Sequence, residues 1–437
     1  MNIAVIGAGI SGLAVARGLA ERHEVTVFEA GDYPGGHTNT VDVDFDGEQH
    51  AIDTGFIVFN DWTYPRFIEL IDELGVASQP TSMSFSVACA RTGLEYNGST
   101  LNGLFAQRRN LLRPSFFRML RDIVRFNREA PRSVEVGDEQ TVGDFLQRGG
   151  YGEEFANHYL MPMGSAIWSC PLGTFAEFPI RFVVEFYQNH GLLNLRNRPT
   201  WRVISGGSRT YVRALLKQFR GTLHLRSPIE RVRRCSTHIE VLPRNAASQR
   251  FDHVVFACHA DQALRMIETP TPLENELLSA FPYERNDAIL HTDASVLPRS
   301  QRAWAAWNYH LPCDGGQRTS VTYCMSILQH LRSRHVFNVT LNGESRIDSR
   351  KVLRQFVYEH PIFTTRRAGA QRRHTELIGP NRSSFCGTYW RNGFHEDGVV
   401  SAQAVCDVLN GSCDSTQPAT STFTLSAASS SLRGLST

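Results

Sequence analysis

Near the start of the chain, Gly7-Ala8-Gly9-Ile10-Ser11-Gly12 has the composition and spacing to hold a pyrophosphate. In such a loop the first glycine allows the tight turn. The second lets backbone approach the phosphates, and the third lets a helix pack closely on a strand. A helix starting there aims its unpaired N–H groups at the anion. Glu29, 17 residues past Gly12, supplies the acceptor oxygens that ribose hydroxyls need. It favours an unmodified ribose over a 2′-phosphate, because two negative charges repel. That leaves FAD and NAD equally open.

The flanking residues read as the elements that must position this chemistry. Residues 2–6 are an apolar parallel strand, 13–22 the helix after it, and 25–28 a second strand ending on Glu29. Gly35-Gly36-His37-Thr38 follows, and a glycine pair there lets the chain pass closely over a long cofactor. Residues 41–51 alternate apolar and polar around Asp46-Gly47, a hairpin signal leading into Asp53-Thr54-Gly55. Ser205-Gly206-Gly207-Ser208 precedes a helical pattern at Tyr211, Leu215 and Phe219.

The run from Ile3 to Gly12, with Glu29 and Gly35-Gly36, resembles the flavin-containing amine oxidase and phytoene desaturase superfamily. Ser227-Pro228-Ile229-Glu230-Arg231-Val232 is similar to the strand that borders the adenine there, and residues 252–258 to the strand re-entering the FAD domain. Phe385-Cys386-Gly387-Thr388-Tyr389-Trp390 and Gly393-Phe394-His395-Glu396-Asp397-Gly398 resemble the closing flavin motif. Residues 53–60, 162–169 and 393–398 look most like bacterial NAD/FAD-binding flavoproteins that accompany cyclopropane-fatty-acid-type methyltransferases. The resemblance covers about residues 1 to 410.

It implies an α/β fold: a discontinuous Rossmann-like FAD-binding domain (1–85, 200–260, 380–410) with an inserted α+β substrate domain (86–199, 261–379). It implies noncovalent FAD held by Gly7, Gly9, Ile10, Ser11, Gly12, Glu29, Ala30, Gly35, Gly36, His37, Thr38, Thr54, Gly55, Ile229, Ala257, Gly387, Gly398 and Val399. Tyr389, Trp390, Phe394 and His395 are the candidates for contact with flavin and substrate. His395 has a second reading as a helix-start residue with a satisfied ring. Glu396 and Asp397 sit where a helix N-terminus welcomes acids, so capping is their expected role.

Composition narrows the classes. At 437 residues two lobes are the natural expectation, and a net charge of +2 gives no drive toward nucleic acid. Arginine supplies almost all the positive charge; the lysines are Lys217 and Lys351. The nine cysteines form no CxxC pair and no metal-like spacing with histidine, so no metal is expected and a reducing cytoplasm fits. With a strand read from Asn2 onward, no signal peptide is expected. The uncharged stretch at 155–176 holds prolines and glycines and reads as a cavity wall, not a span. Residues beyond Asn410 are rich in serine and threonine and are expected to be disordered.

Arg118, Arg121, Arg125, Arg128 and Arg132 recur at three- and four-residue spacing, with Phe116, Phe117, Leu120, Ile123 and Val124 expected largely on the opposite side. Such a helix is either a solvent face or a membrane-surface contact, which would make the protein peripheral to the inner membrane. Oligomeric state is left open.

Flavin chemistry asks the protein to orient a C–H bond, exclude water and tune the ring. Phe85, Leu104, Phe105, Leu160, Met161, Met163, Ile167, Trp168, Phe178, Phe182 and Phe186 could line an apolar tunnel. Neither lysine lies in a segment suited to the lysine that amine oxidases hold near the flavin, and His37 replaces the arginine of their usual GGR. The expected function is hydride abstraction that desaturates a fatty acyl chain, methylated chains included. The alternatives are an amine or amino-acid oxidase releasing peroxide, a redox-neutral double-bond isomerase, and a non-catalytic flavoprotein scaffold.

Overall fold

Asn2–Ile6 is apolar on both sides because both are covered, the usual state of a parallel strand. Ile3 pairs in parallel with Val25 on one side and His253 on the other. The sheet runs in the order Thr222–His224, Glu24–Phe28, Asn2–Ile6, His253–Phe256, Ser383–Phe385. Ile3 and Val5 point into a core shared with helices Ile10–Leu19, Arg209–Gln218 and His395–Leu409. Ala4 and Ile6 point into a second core with Val232, Val241, Phe251 and Ala263. The computed structural model describes residues 1–133, 140–168, 170–194, 196–312, 320–362, 364 and 366–411. The serine- and threonine-rich stretch beyond Gly411 lies outside them.

The first helix is Ile10–Leu19 and so starts three residues before the 13 expected. Gly9 is its N-cap, so the last residues of the glycine loop are already helical. The hairpin forms as Thr40–Phe45 against Glu48–Asp53, with Asp46 at φ 53° and Gly47 at φ 75°. Two consecutive positive φ values match the twist of the flanking strands.

A seven-stranded sheet builds the other half: Val352–Pro361, Tyr283–His291, Asn338–Leu341, Ser320–Cys324, Trp307–Leu311, Phe85–Cys89, Leu94–Asn97. Its strands come from both inserted stretches, 86–199 and 261–379, beginning at Phe85. Beside it, helices within 114–189 close on an aromatic core of Phe126, Phe155, Trp168, Phe175, Phe178 and Tyr187. Burying one such side chain stabilises by about 1.5–3 kcal/mol. Gly164 is required there, since a Cβ would lie 1.9 Å from Phe175 Cζ.

The described residues of 155–176 form short helices with a π-helical turn at Ala156–Leu160, and among the described residues no helix is long and apolar enough to cross a membrane. The Pro114–Ser133 helix departs from its expected two-sided pattern. Phe116 is buried, but Phe117 and Val124 lie exposed with the arginines.

Candidate functional site

The three loop glycines do three different jobs. Gly7, at φ 105°, would place a Cβ 2.7 Å from the Ala257 carbonyl oxygen. At Gly12 a Cβ would fall 1.9 Å from the Gly7 carbonyl oxygen. A Cβ on Gly9, by contrast, meets no atom within 4 Å. Its backbone is extended at φ −72°, so neither strain nor protein contact demands a glycine there. What the missing side chain leaves is space at a helix N-terminus with no side-chain cap and no acid in its first turn. That end keeps unpaired N–H groups and a positive dipole, the conditions for holding an anion.

Glu29 shapes the rim of this space. Its Oε2 accepts from Ala8 N–H at 2.8 Å and its Oε1 from Gly31 N–H at 2.7 Å. Each oxygen retains a lone pair for a further donor. Ser227 N–H donates to the Glu29 carbonyl at 2.8 Å, which sets Ile229, at the start of its strand, near Glu29 and the exposed Ala30. Gly35 N–H donates to the Ala8 carbonyl at 2.7 Å. Gly36, at φ 59°, passes so close that a Cβ would lie 3.3 Å from Gly9 Cα. The glycine pair thus roofs the phosphate loop.

The C-terminal motif arrives from the other side. A Cβ on Gly398 would lie 2.8 Å from Ser11 Oγ and 2.9 Å from Ile10 Cγ2, so two helix N-termini meet. Gly387 N–H donates to Ser401 Oγ at 2.9 Å, which fastens Gly387 to the same helix. Val399 is half-buried beside it. Both acids of that first turn cap backbone. Asp397 Oδ2 accepts from Phe394 and Asn392 N–H groups, at 2.8 and 3.1 Å. Glu396 reaches another helix, Pro65–Glu73, and accepts from Phe67 N–H at 2.9 Å and Arg66 N–H at 3.2 Å. Burial pushes the Asp397 carboxyl up to about 6.

His395 stacks on Phe56 with ring centroids 3.5 Å apart. Its Nε2 lies 2.9 Å from both Thr38 Oγ1 and Tyr211 OH, which are themselves 2.5 Å apart. Burial holds its pKa well below the usual histidine value, so the ring is neutral. His395 therefore ties the C-terminal helix to Thr38, with Nε2 fully engaged. Thr54 is likewise internal, its hydroxyl 2.8 Å from Tyr358 OH, and Gly55 packs on the His37 carbonyl.

The four aromatic candidates do not share one surface. Tyr389 and Trp390 are buried against Phe281, at centroid distances of 4.9 and 5.2 Å. Phe394 is half-buried and stacks on Phe186 at 5.4 Å, with the His190 ring 5.9 Å away. Sequence reasoning missed His190, which carries no motif. Its Nδ1 donates to the Phe186 carbonyl at 2.9 Å, leaving Nε2 unprotonated, and burial lowers its pKa to about 4. A cleft of about 230 Å³ adjoins these rings, lined by Phe182, Phe186 and Trp390 and by the polar Glu185, Asn189, Gln371, Arg391 and Asn392.

A histidine cluster was also missed except for His37. His37 lies 5.3 Å from the His360 ring, 6.3 Å from His259 and 5.0 Å from Tyr358. His259 contacts Glu359 at 3.2 Å, and His360 Nδ1 contacts Asn286 at 3.0 Å. Burial, reinforced for His37 by His259, lowers His37 and His259 to about 4 and His360 to about 3. His37 Nε2 is occluded and has no hydrogen-bond partner among the described residues. His37 lies in a turn, His259 is the N-cap of the helix Ala260–Met266 and His360 sits in the strand Val352–Pro361, so no local spacing could reveal them.

Lys351 lies outside this site, paired with Asp293 at 3.1 Å, and Lys217 is exposed on its helix. Cys235, His238 and Glu240 bring three possible metal donors within 4.8 Å on a hairpin of the nucleotide-binding half. Arg233, 3.6 Å from Glu240, competes there.

The flavin-containing amine oxidoreductase profile matches residues 10–296. The chain belongs to that family. Solved structures share the fold of this flavin oxidoreductase along nearly all its length. Cyclohexylamine oxidase from Brevibacterium oxydans IH-35A aligns at TM-score 0.65 and 16% identity, over 94% of this chain and 99% of that one. Putrescine oxidase bound to putrescine gives 0.66 and 13%, over 94% and 99%. A CLA-producing fatty acid isomerase from P. acnes gives 0.62 and 13%, over 94% and 98%. No curated protein matches in sequence.

FAD is the cofactor of this oxidoreductase, and the residues present fit it. The open Cβ direction at Gly9 and the uncapped helix suit the pyrophosphate. The lone pairs of Glu29 suit the ribose, and Gly36 and His37, half-exposed, suit the middle of a long ligand.

Proposed function

We propose that this flavin oxidoreductase acts on the apolar chain of a fatty acyl substrate and introduces a double bond, methylated chains included. Bound FAD would supply the hydride acceptor. The protein's part is to orient the chain and keep water out. Phe394, Phe186 and Phe182 would grip it by apolar contact, and the neutral His190 adds no charge.

One observation carries this reading: the buried acids around Phe394 are committed to backbone, and the carboxylate at the cleft rim is paired with an arginine. Asp397 and Glu396 cap backbone, and Glu185 pairs with Arg181 at 2.7 Å. An ammonium substrate would need a free carboxylate to offset its desolvation.

The fatty acid isomerase of the same fold supports a second reading, a double-bond shift with no net oxidation. Purified holoenzyme is incubated with fatty acids and phospholipids, with and without an artificial electron acceptor, and the acyl chains are profiled. Desaturation gives new unsaturation and consumes acceptor; isomerisation shifts a double bond and consumes none. Peroxide from polyamines or amino acids with unchanged acyl chains overturns both.

A further inference from the structure

We infer that the outer face of the Pro114–Ser133 helix, with the turn that precedes it, is a docking surface for an anionic phospholipid bilayer. Exposed apolar side chains are sparse over the molecule, yet five gather in residues 101–124. Leu112 is 87% exposed, Leu101 77%, Val124 54%, Leu111 49% and Phe117 46%. Leu101 sits beside the turn, because Arg108 donates to the neighbouring Asn102 at 2.6 Å. Phe117 joins through Phe105, whose ring lies 6.2 Å away. Apolar groups clustered in the open mark an interaction site.

Charge identifies the partner. Residues 101–133 hold eight arginines against Asp122 and Glu129, a local charge of +6 in a chain whose total is +2. Asp122 is buried, and Glu154 from the short helix Glu153–Phe155 pairs with Arg118 at 3.1 Å. Glu129 takes up Arg128 and Arg125, at 2.8 and 3.3 Å. Arg108 and Arg109 are exposed with no carboxylate partner among the described residues, and Arg121, also exposed, has only the buried Asp122, at 3.7 Å. Along the helix Phe117, Arg121, Val124 and Arg128 fall at spacings of four and three, so apolar and basic groups share one stripe. A protein partner of ordinary composition would separate the two. A bilayer surface takes both, with apolar side chains below the headgroups and guanidinium groups among the phosphates. The inner face, through Phe116, Met119 and Phe126, roofs the inserted half, so docking would bring that half to the lipid. This holds whatever the substrate.

The test is flotation of the full-length holoprotein with vesicles of phosphatidylcholine alone or with phosphatidylglycerol, without electron acceptor. Binding is expected only to the anionic vesicles, and weaker as salt rises. L111S/L112S/F117S should weaken it at least tenfold, and each of R108Q, R109Q and R121Q by about fivefold. Bound FAD and the thermal midpoint, unchanged, would show that these surface variants fold. Equal binding to both vesicles, no flotation, or a dimer in free solution that L112S dissolves would each overturn the inference.

Discussion

The two halves of the molecule achieve close packing by opposite means. In the nucleotide-binding half the decisive positions are side chains left out. Gly7, Gly12, Gly36 and Gly398 let backbone meet backbone or helix meet helix, and Gly9 leaves room for a ligand. In the inserted half the decisive positions are large rings: Phe126, Phe155, Phe175, Phe178 and Tyr187 are all buried. One half is thus built around a ligand fixed in shape, the other around its own core. The difference teaches where a single atom matters for binding and where it matters for folding.

Gly9→Val gives the sharpest break. Nothing lies within 4 Å of the new Cβ, and the φ of −72° suits any residue, so the apoprotein should keep its thermal midpoint. The side chain would occupy the phosphate approach, and the purified variant should be colourless. Gly12→Val would instead drive a Cβ into the Gly7 carbonyl oxygen, 1.9 Å away, and should lose fold and flavin together. If Gly9→Val stays yellow with wild-type FAD content, the space at Gly9 is not the phosphate site.

The inserted half should respond in the opposite sense. Phe175→Ala should cost about 3–5 kcal/mol by leaving a cavity. Gly164→Ala should also destabilise, by about 1–3 kcal/mol, because its Cβ meets the Phe175 ring at 1.9 Å. Combined, the two substitutions relieve each other, since the new methyl fills part of the space the ring vacates. Denaturant melts of the four proteins form a double-mutant cycle, and the double variant should be more stable than the sum predicts. Simple additivity would show that the two sites do not touch. FAD content should stay unchanged throughout.

Glu29→Ala sits between these extremes. The carboxylate orders Ala8 and Gly31 as well as offering acceptors to a ribose. FAD affinity should fall roughly 10- to 100-fold, the effect of about 1.5–3 kcal/mol for hydrogen bonds to a charged group. Glu29→Gln keeps an acceptor and should lose less; fluorescence titration of apoprotein with FAD measures both.

This contrast also explains what the sequence discloses. Gly7 to Gly12, Glu29 and Gly35-Gly36 are local and close together, and each has one physical use, so they could be read in advance. The hairpin at Asp46-Gly47 was legible for the same reason, because consecutive positive φ values demand those residues. Glu396 was only half legible: capping was expected, but the helix it caps lies over 300 residues away in sequence. Tyr389 and Trp390 were only half legible, because an aromatic beside a flavin motif looks the same whether it packs on Phe281, as both do here, or also reaches a cleft, as Trp390 does. Phe117 and Val124 break the helical pattern because exposure on an outer stripe follows from what covers the helix, not from its periodicity.

The histidines at the seam sharpen the comparison last and least. His37 comes from the nucleotide-binding half, His259 follows its fourth strand, and His360 belongs to the seven-stranded sheet. Folded values of about 4, 4 and 3 lie below the ordinary histidine value of 6.5. Between those limits the unfolded chain binds protons that the folded chain refuses, so stability falls as pH drops from 6.5 toward 4. Asp53 and Asp397 act in the opposite direction. Burial raises each to about 6, so the folded form takes up a proton first and gains stability as pH falls from 6 toward 3.8. The histidines outnumber them, since His190, His253, His291, His310 and His374 are also lowered to about 4. The net expectation is a thermal midpoint that declines from pH 6.5 to pH 4.5. His360→Gln should flatten that decline by up to about one proton at pH 5 without changing stability slope above pH 7. An unchanged slope in His360→Gln would mean that the ring is protonated in the folded state and that the seam between the halves is wetter than described.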